Sequence, residues 1–472
     1  MPQIDNDTIC AIATPPGRSG VGIVRVSGAL TPTIANSILG QIPPHRHAHY
    51  GDFTGAEGEI LDQGIAIFFQ QPGSFTGEDV LELHAHGNAF VLGSIRDSII
   101  SLGARIARPG EFSERAFLNN KIDLVQAEAI ADLIDSSSQQ AARSAVRTLQ
   151  GHFSAQIGLV IAKLIATRVK VEASIDFSDE DIDIVTDEKV NESLRGIQAE
   201  LDKTLAGAQQ GAILNQGMSV VLAGKPNAGK SSLLNAISGS NTAIVTAVAG
   251  TTRDVLSEQI NLDGLPLNIL DTAGLRPSTD IIEQEGVKRA KLAVDQADQI
   301  LLIVDKSNHQ EKPLTEDAVK KLLASLELMN DKLIDQSTLL RRMTLVFNKI
   351  DKLEDSNPGF DRVNCGGQEI TIINISAKTG AGIELIREHL KACAGYNSNT
   401  EDVFVARERH LLALRAAQDL VSSAQDNIAI EAPLELLAED LRLAQKELGT
   451  ITGEFSSDNL LGEIFSTFCV GK

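Results

Sequence analysis

The stretch Gly224-Lys225-Pro226-Asn227-Ala228-Gly229-Lys230-Ser231 constrains this chain more than any other. It fits G-x-x-x-x-G-K-S/T, with an apolar run at 218–222 before it and a helical run at 232–237 after it. A strand that stops, a glycine turn and a helix that starts make a cradle of backbone N–H groups at a helix N-terminus, where phosphate oxygens bind. The surroundings agree. Apolar runs at 267–270, 300–304, 345–347 and 370–375 alternate with helical stretches. Such strands, separated by helices, predict a parallel sheet covered on both faces. Asp263-Gly264, between runs at 258–262 and 265–270, is a hairpin signal and predicts one antiparallel edge.

Chemistry follows from what stands at the strand ends. Lys230 brings a point charge to the β and γ phosphates, and Ser231 a hydroxyl for Mg²⁺. Asp271-Thr272-Ala273-Gly274 ends a strand, which puts Asp271 near the metal shell and the Gly274 amide near the γ-phosphate. Asn348-Lys349-Ile350-Asp351 ends another, and a carboxylate there accepts hydrogen bonds from guanine N1–H and N2–H₂. Adenine lacks those donors and would leave the carboxylate unpaired, so guanine is selected. Ser376-Ala377-Lys378 follows the last strand and closes over the base. Four motifs in this order read as a GTPase. Gly250-Thr251-Thr252-Arg253-Asp254 lies where the first switch belongs, and a Thr there ligates Mg²⁺ while the γ-phosphate is present. Leu275 follows Gly274 in place of the Gln that orients water in Ras-like enzymes. Another group must do that work, and spacing leaves Arg276, Glu283 and Glu285 open.

Outside this segment the texture differs. Residues 1–119 mix β-branched runs, at 22–26, 64–69 and 79–83, with helical spacing at 31–39 and 89–102, a compact α/β unit. Ser113 reads as a helix cap. Residues 121–210 lack Pro, and Ile157, Ile161, Leu164 and Ile165 read as one helix stripe. Leu434, Leu437, Leu441, Ala444 and Leu448 form another. Neither helical half can bury its stripe alone. The simplest arrangement packs 120–216 with 391–472 as one helical domain, and 217–390 as a domain inserted between them. Two separate helical domains are the alternative. The acidic stretch at 172–202 reads as a solvated helix face and loop, with a divalent-metal site as the alternative.

With 42 Lys+Arg against 63 Asp+Glu, the net charge is −21. Phosphate repels such a chain, so any RNA partner needs a local basic patch or a second protein. Trp is absent, which argues against wide stacking platforms for single strands. Cys10, Cys365, Cys393 and Cys469 have neither metal nor disulfide-framework spacing, which fits a reducing compartment. The N-terminal stretch has no basic n-region, and no uncharged apolar stretch of membrane-spanning length occurs. The expectation is a cytoplasmic protein with no membrane span. His45, His47 and His49 alternate, as do His84 and His86, so each set shares one strand face. A metal site there is the sharper reading, but no carboxylate or Cys joins them at a telling spacing.

These motifs together resemble the tRNA modification GTPase MnmE (TrmE) family over essentially the full length. The match includes Asn227 in the phosphate loop, the Gly-Thr-Thr-Arg-Asp switch, Asp-Thr-Ala-Gly-Leu-Arg, the inserted arrangement and the ending Cys469-Val470-Gly471-Lys472. The resemblance implies a multidomain α/β plus α fold. Its parts are an N-terminal folate-binding-like dimerisation domain (1–119), a discontinuous helical domain (120–216 and 391–472) and an inserted Ras-like P-loop GTPase domain (217–390). It implies nucleotide contacts from Asn227, Ala228, Gly229, Lys230, Ser231 and Ser232, and from the switch loop Thr246, Ala247, Val248, Ala249, Gly250, Thr251 and Thr252. Further contacts come from Asp271, Thr272, Ala273, Gly274, Asn348, Lys349, Asp351, Ser376, Ala377 and Lys378. Ser231 and Thr252 would hold Mg²⁺. Asn227, Thr246, Val248 and Thr251 would hold K⁺ in place of an arginine finger, and Glu283 would position the attacking water.

The same resemblance implies a tetrahydrofolate derivative (5,10-methylene- or 5-formyl-) held by Arg25, Glu82, Lys121 and Lys472. It implies a homodimer whose G domains meet, and a complex with the FAD-dependent protein MnmG (GidA), a heterotetramer or larger. The reaction would modify C5 of the wobble uridine, position 34, of certain tRNAs, using glycine or ammonium. The products would be 5-carboxymethylaminomethyl- or aminomethyl-uridine, and tRNA would be held mainly by the partner complex. Cys469 stands as a nucleophile, a redox thiol or a packing thiol. Two other classes remain: a ribosome-assembly switch without modification chemistry, and a folate enzyme that uses its GTPase part only for regulation.

Overall fold

The computed structural model describes residues 7–136, 138–176, 187–239, 257–271, 294, 297–308, 316–324, 336–353, 357–396, 403–454, 458–469 and 471. It divides into two compact units. One comprises Met1–Asp135, Ala145–Leu205 and Glu408–Lys472, and the other Ser136–Ser144 and Ala206–Arg407. No single described helix is long and apolar enough to cross a membrane.

The first unit begins with strands β1 (Ile9–Ile12), β2 (Ser19–Ser27), β3 (Ala48–Thr54), β4 (Ile60–Phe69), β5 (Val80–Gly87) and β6 (Arg105–Ile106). They form one sheet in the order β3-β4-β5-β2-β1-β6. Strict alternation decides its faces. In β5, Leu81, Leu83 and Ala85 are buried, while Glu82, His84 and His86 take the other face. Helices α1 (Thr31–Leu39) and α2 (Ala89–Ser101) close the apolar face, with Ile34, Ile38, Ile95 and Ile99 packed on Val24, Leu81 and Leu83. Gly40, in the left-handed region at φ 69°, ends α1 where the 31–39 spacing predicts.

Helix α3 (Glu111–Leu118) does not start as expected. Its cap is Gly110, at φ 68°, so Ser113 lies inside the first turn and caps nothing. An ionic clamp sets the helix in place. Glu111 is 2% exposed and accepts hydrogen bonds from Arg105, from Arg115 and from the Arg108 amide. Burial opposes its charge, but these donors outweigh it and hold the carboxyl down at about 2. Helices α4 (Leu124–Asp135), α5 (Gln139–Leu149), α6 (His152–Asp176) and α7 (Asp187–Gln216) follow. Residues 177–186 of the acidic stretch lie outside the described residues.

The second unit holds β7 (Met218–Ala223), α8 (Lys230–Ser238), β8 (Ser257–Leu262), β9 (Leu265–Asp271), β10 (Gln299–Asp305), α9 (Glu316–Ala324), α10 (Gln336–Arg341), β11 (Met343–Asn348), β12 (Gly359–Cys365), β13 (Gln368–Asn374) and α11 (Ile383–Cys393). The sheet runs β12-β13-β11-β10-β7-β9-β8. Its five inner strands are parallel, and both edges are antiparallel. Alternate residues feed two cores: Val221, Leu302 and Leu345 on one face, and Val220, Leu301 and Val346 on the other. The hairpin at Asp263-Gly264 is present. The pattern does not predict the second antiparallel edge, β12, because GFDRVNC is mostly exposed and Asp361, Arg362 and Asn364 break up its apolar residues.

The chain returns to the first unit as α12 (Glu408–Ala429), α13 (Leu434–Thr452) and α14 (Asp458–Ser466). Leu437, Leu441, Ala444 and Leu448 are each at most 2% exposed, while Leu434 is 36% exposed at the helix start. Helix α13 packs on α12 and α6. On α6 the buried positions are Phe153, Ile157, Val160, Leu164, Thr167 and Val171. Ile165 is a third exposed, since one residue beyond Leu164 turns the side chain by roughly 100°. Arg168 Nη1 donates to Gln445 Oε1 at 2.7 Å across this packing.

Candidate functional site

In the second unit the chain leaves β7 and turns sharply before α8. Gly224 has φ 150°, and a Cβ there would stand 2.4 Å from the Ile303 carbonyl oxygen of β10. Asn227 takes a left-handed φ of 62° with its side chain exposed, and Gly229 a φ of 103°. A Cβ on Gly229 would stand 2.2 Å from Asn348 Nδ2, so this glycine lets the end of β11 approach the loop. The Lys230 ammonium folds back to the Gly224 carbonyl at 3.0 Å. Ser231 and Ser232 are exposed on the first turn of α8.

The segment after β11 is tied to this loop at two points. Asn348 is 2% exposed and donates to the Ala228 carbonyl at 2.9 Å. Its side-chain Oδ1 accepts from the Lys349 and Ala377 amides at 2.7 and 3.0 Å. The Lys349 ammonium donates to the Asn227 carbonyl and to Asp305 Oδ2, both at 2.6 Å. Ser376 is fully buried and donates to Asp351 Oδ1 at 2.5 Å, while Lys378 is exposed. One hydrogen-bonded frame thus joins Asn227, Ala228, Asn348, Lys349 and Ala377, and a second bond fixes Asp351 to Ser376. Beside it is a cavity of about 230 Å³, lined by the phosphate loop, the end of β10 and Leu322.

Asp305 was not anticipated. It ends β10, and burial disfavours its charge, but Lys349 and Ser307 outweigh that and hold its carboxyl below the usual range. The available signal was an Asp closing an apolar run, the same signal that marks Asp271. Asp271 ends β9 opposite Leu222 of β7. Its side chain, and Thr246, Ala247, Val248, Ala249, Gly250, Thr251, Thr252, Thr272, Ala273, Gly274, Arg276, Glu283 and Glu285, lie outside the described residues.

The first unit carries a second candidate site. Arg25 of β2 and Glu82 of β5 are opposite each other in register, and Arg25 Nε donates to Glu82 Oε1 at 2.9 Å. Arg25 Nη1 also reaches the Gly471 carbonyl at 3.3 Å, and its guanidinium lies 5.6 Å from the Phe112 ring centre. Gly471 has φ 97°, and a Cβ would stand 2.8 Å from the Ile12 carbonyl oxygen. Only glycine fits so close to β1, which explains the glycine of Cys-x-Gly-Lys. The Gly110 amide contacts the Cys469 carbonyl at 3.4 Å, and the Cys469 side chain is exposed. A cavity of about 380 Å³ opens here between Arg25, Gly471, Phe75, Ser113, Ile130 and Ile134. Ser113 Oγ is buried and has no hydrogen-bond partner among the described residues. Lys121 is not in this wall. It donates to the Pro72 carbonyl at 2.8 Å, three residues before Phe75. Lys472 lies outside the described residues.

The histidines do not assemble. His86 pairs with Asp62 at 2.9 Å, His84 approaches Glu82 at 3.4 Å, and His49 contacts Gln41. Among the described residues, no group of three or more His, Cys, Asp or Glu could hold a metal ion.

The family model for the MnmE helical domain matches residues 124–469, and the one described as GTP-binding protein TrmE N-terminus matches 8–121. The tRNA modification GTPase MnmE of Hydrogenovibrio crunogenus is 52% identical, over 99% of this chain and 99% of its own. Its namesakes in Stutzerimonas stutzeri and Yersinia pseudotuberculosis are 51% and 53% identical, again over 99% of each chain.

Proposed function

The chain belongs to the MnmE family of tRNA modification GTPases and is a GTP hydrolase, and from that premise we propose a K⁺-stimulated, homodimeric enzyme that modifies C5 of the wobble uridine, position 34, of certain tRNAs with the flavin-dependent MnmG (GidA). The observation that carries the nucleotide part is the frame joining Asn348 and Lys349 to the loop at Asn227 and Ala228. A base reader bolted to a phosphate cradle fixes the distance between guanine and the phosphates. Misplaced substrate is excluded at both ends, and the γ-phosphate arrives in one orientation.

In this reading, loop amides from Asn227 to Ser232 receive the phosphates and Lys230 swings from the Gly224 carbonyl to them. Asp351, already oriented by Ser376, accepts from guanine, and Ala377 and Lys378 cover the base. Ser231, exposed at the start of α8, suits an Mg²⁺ ligand together with Thr252. Asn227, with its exposed side chain, suits K⁺ together with Thr246, Val248 and Thr251. Both cations would offset charge that develops on the phosphates. Glu283 orients the attacking water, the role that a Gln plays where Leu275 stands here.

The cavity at Arg25 suits a folate. Its volume falls within the roughly 300–1,000 Å³ of ligand pockets, its walls are largely apolar, and its polar end is Arg25, held by Glu82 outside the wall. Lys472 would complete the set, and Lys121 would join it by leaving the Pro72 carbonyl. The folate supplies a one-carbon unit, and glycine or ammonium the amine, for carboxymethylaminomethyl- or aminomethyl-uridine. The charge of −21 opposes tRNA phosphates, so most tRNA affinity comes from the partner complex, and a tRNA substrate suits a cytoplasmic enzyme. The test is the nucleoside content of tRNA from cells lacking this chain. Loss of the C5-modified wobble uridine is expected, and unchanged modification overturns the reading.

A further inference from the structure

Ser113 sits in the wall of the cavity beside Arg25, fully buried, with less than 1 Å² of its hydroxyl oxygen exposed and no hydrogen-bond partner among the described residues. A helical serine normally satisfies itself on the carbonyl four residues back. Here that residue is Pro109, ahead of the helix start, and the carbonyl three back, on Gly110, is taken by the Glu114 amide at 2.9 Å. The helix cannot drift to relieve this, because Glu111 is clamped by Arg105 and Arg115. Buried hydroxyls left unpaired are uncommon, and one in a cavity wall needs an explanation.

The other polar groups at this end are already engaged. Arg25 is shared between Glu82 and the Gly471 carbonyl. The remaining walls, Phe75, Ile130 and Ile134, are apolar. Such a space takes a flat ring with apolar faces and a polar rim. The Ser113 hydroxyl both donates and accepts, so this one group in the wall can answer either kind of polar atom on that rim. We propose that Ser113 is a ligand-binding residue of this cavity, hydrogen-bonding the polar edge of the folate ring. The inference rests on the folate reading above.

The experiment uses the full chain and 5-formyl-tetrahydrofolate, with affinity from calorimetry and melting temperature measured without ligand. Ser113→Ala should weaken binding roughly 3- to 10-fold, the worth of one neutral hydrogen bond. It should leave the ligand-free melting temperature unchanged or raised, since a buried unpaired hydroxyl is removed. Ser113→Thr, which keeps the hydroxyl, should restore most of the affinity. Equal binding by wild type and Ser113→Ala overturns the inference and leaves the folate reading standing. So does a drop in ligand-free melting temperature with no rescue by Thr, which would make the hydroxyl structural. Absence of binding by the wild type overturns the folate reading, and this inference with it.

Discussion

Replacing Glu128 by Gln tests how the first unit is held together. Glu128 lies on α4, is 1% exposed, and receives Arg409 twice, at 2.9 and 2.7 Å. His410 Nε2 is 2.9 Å from Glu128 Oε2, the oxygen that Arg409 Nη2 also reaches. Arg409 also caps the carbonyls of Thr450 and Ile451 at the end of α13. Burial raises the cost of the Glu128 charge, yet His410 and Arg409 outweigh it and hold the carboxyl at about 2, against an ordinary 4.5. A shift of this size corresponds to about 3 kcal/mol, and breaking a buried ion pair costs roughly 3–5 kcal/mol. Glu128→Gln keeps the shape and removes the charge, so it should destabilise the unit by about 3 kcal/mol at pH 7. Hydrogen exchange in α4 and α12 should speed up roughly 100-fold. The sign with pH follows from the depressed folded value. The wild-type advantage is complete above the unfolded carboxyl value, declines as pH falls toward 2, and drops below about half by pH 3. Urea unfolding followed by circular dichroism from pH 7 to 3 reads that decline. Equal protection at pH 7, or a deficit that does not shrink with acid, refutes the reasoning.

Gly471→Ala should lift the tail from β1, because the new Cβ meets the Ile12 carbonyl at 2.8 Å. Affinity for 5-formyl-tetrahydrofolate should fall about tenfold with GTP hydrolysis unchanged, and unaltered affinity would show that the tail does not shape the cavity. Gly229→Ala forces a Cβ to 2.2 Å from Asn348 Nδ2. GTP affinity should drop at least about tenfold, measured with a fluorescent nucleotide, and normal binding would show the frame to be dispensable. Hydrolysis should run faster in K⁺ than in Na⁺ at equal ionic strength, with Asn227→Ala erasing the difference; equal rates in wild type reject the ion's role. Glu283→Ala should lower turnover by about 10²-fold or more with GTP affinity near normal, whereas a large loss of affinity would make the residue structural.

Much of the second unit was legible in the sequence because its strands are buried on both faces and read as apolar runs. The chemistry stands where those runs stop, so Asn348 and Asp271 could be placed by counting. The edge strand β12 was not legible, since Phe360, Asp361, Arg362 and Asn364 are exposed and no apolar run forms. In the first unit, Arg25 and Glu82 are ordinary strand residues until the register of β2 on β5 brings them together, and that register contains a bulge between Ser19 and Gly22. Ser113 looked like a cap because Ser favours caps. A glycine at φ 68° took that position, and only packing shows the hydroxyl stranded behind it. Ile165 failed for a simpler reason: two adjacent apolar residues on a helix cannot share one buried line with equal depth.

The contact between Arg25 and Gly471 spans 446 residues. Synthesis at roughly 5–20 residues per second separates the two ends by about 20–90 s. Throughout that interval Arg25 is without the Gly471 carbonyl that it reaches in the folded chain. A chain cut before Gly471 lacks the carbonyl against which Arg25 is set. The wall that Gly471 adds beside Arg25 is therefore set later than the pairing of β2 with β5, which holds Arg25 in place for it.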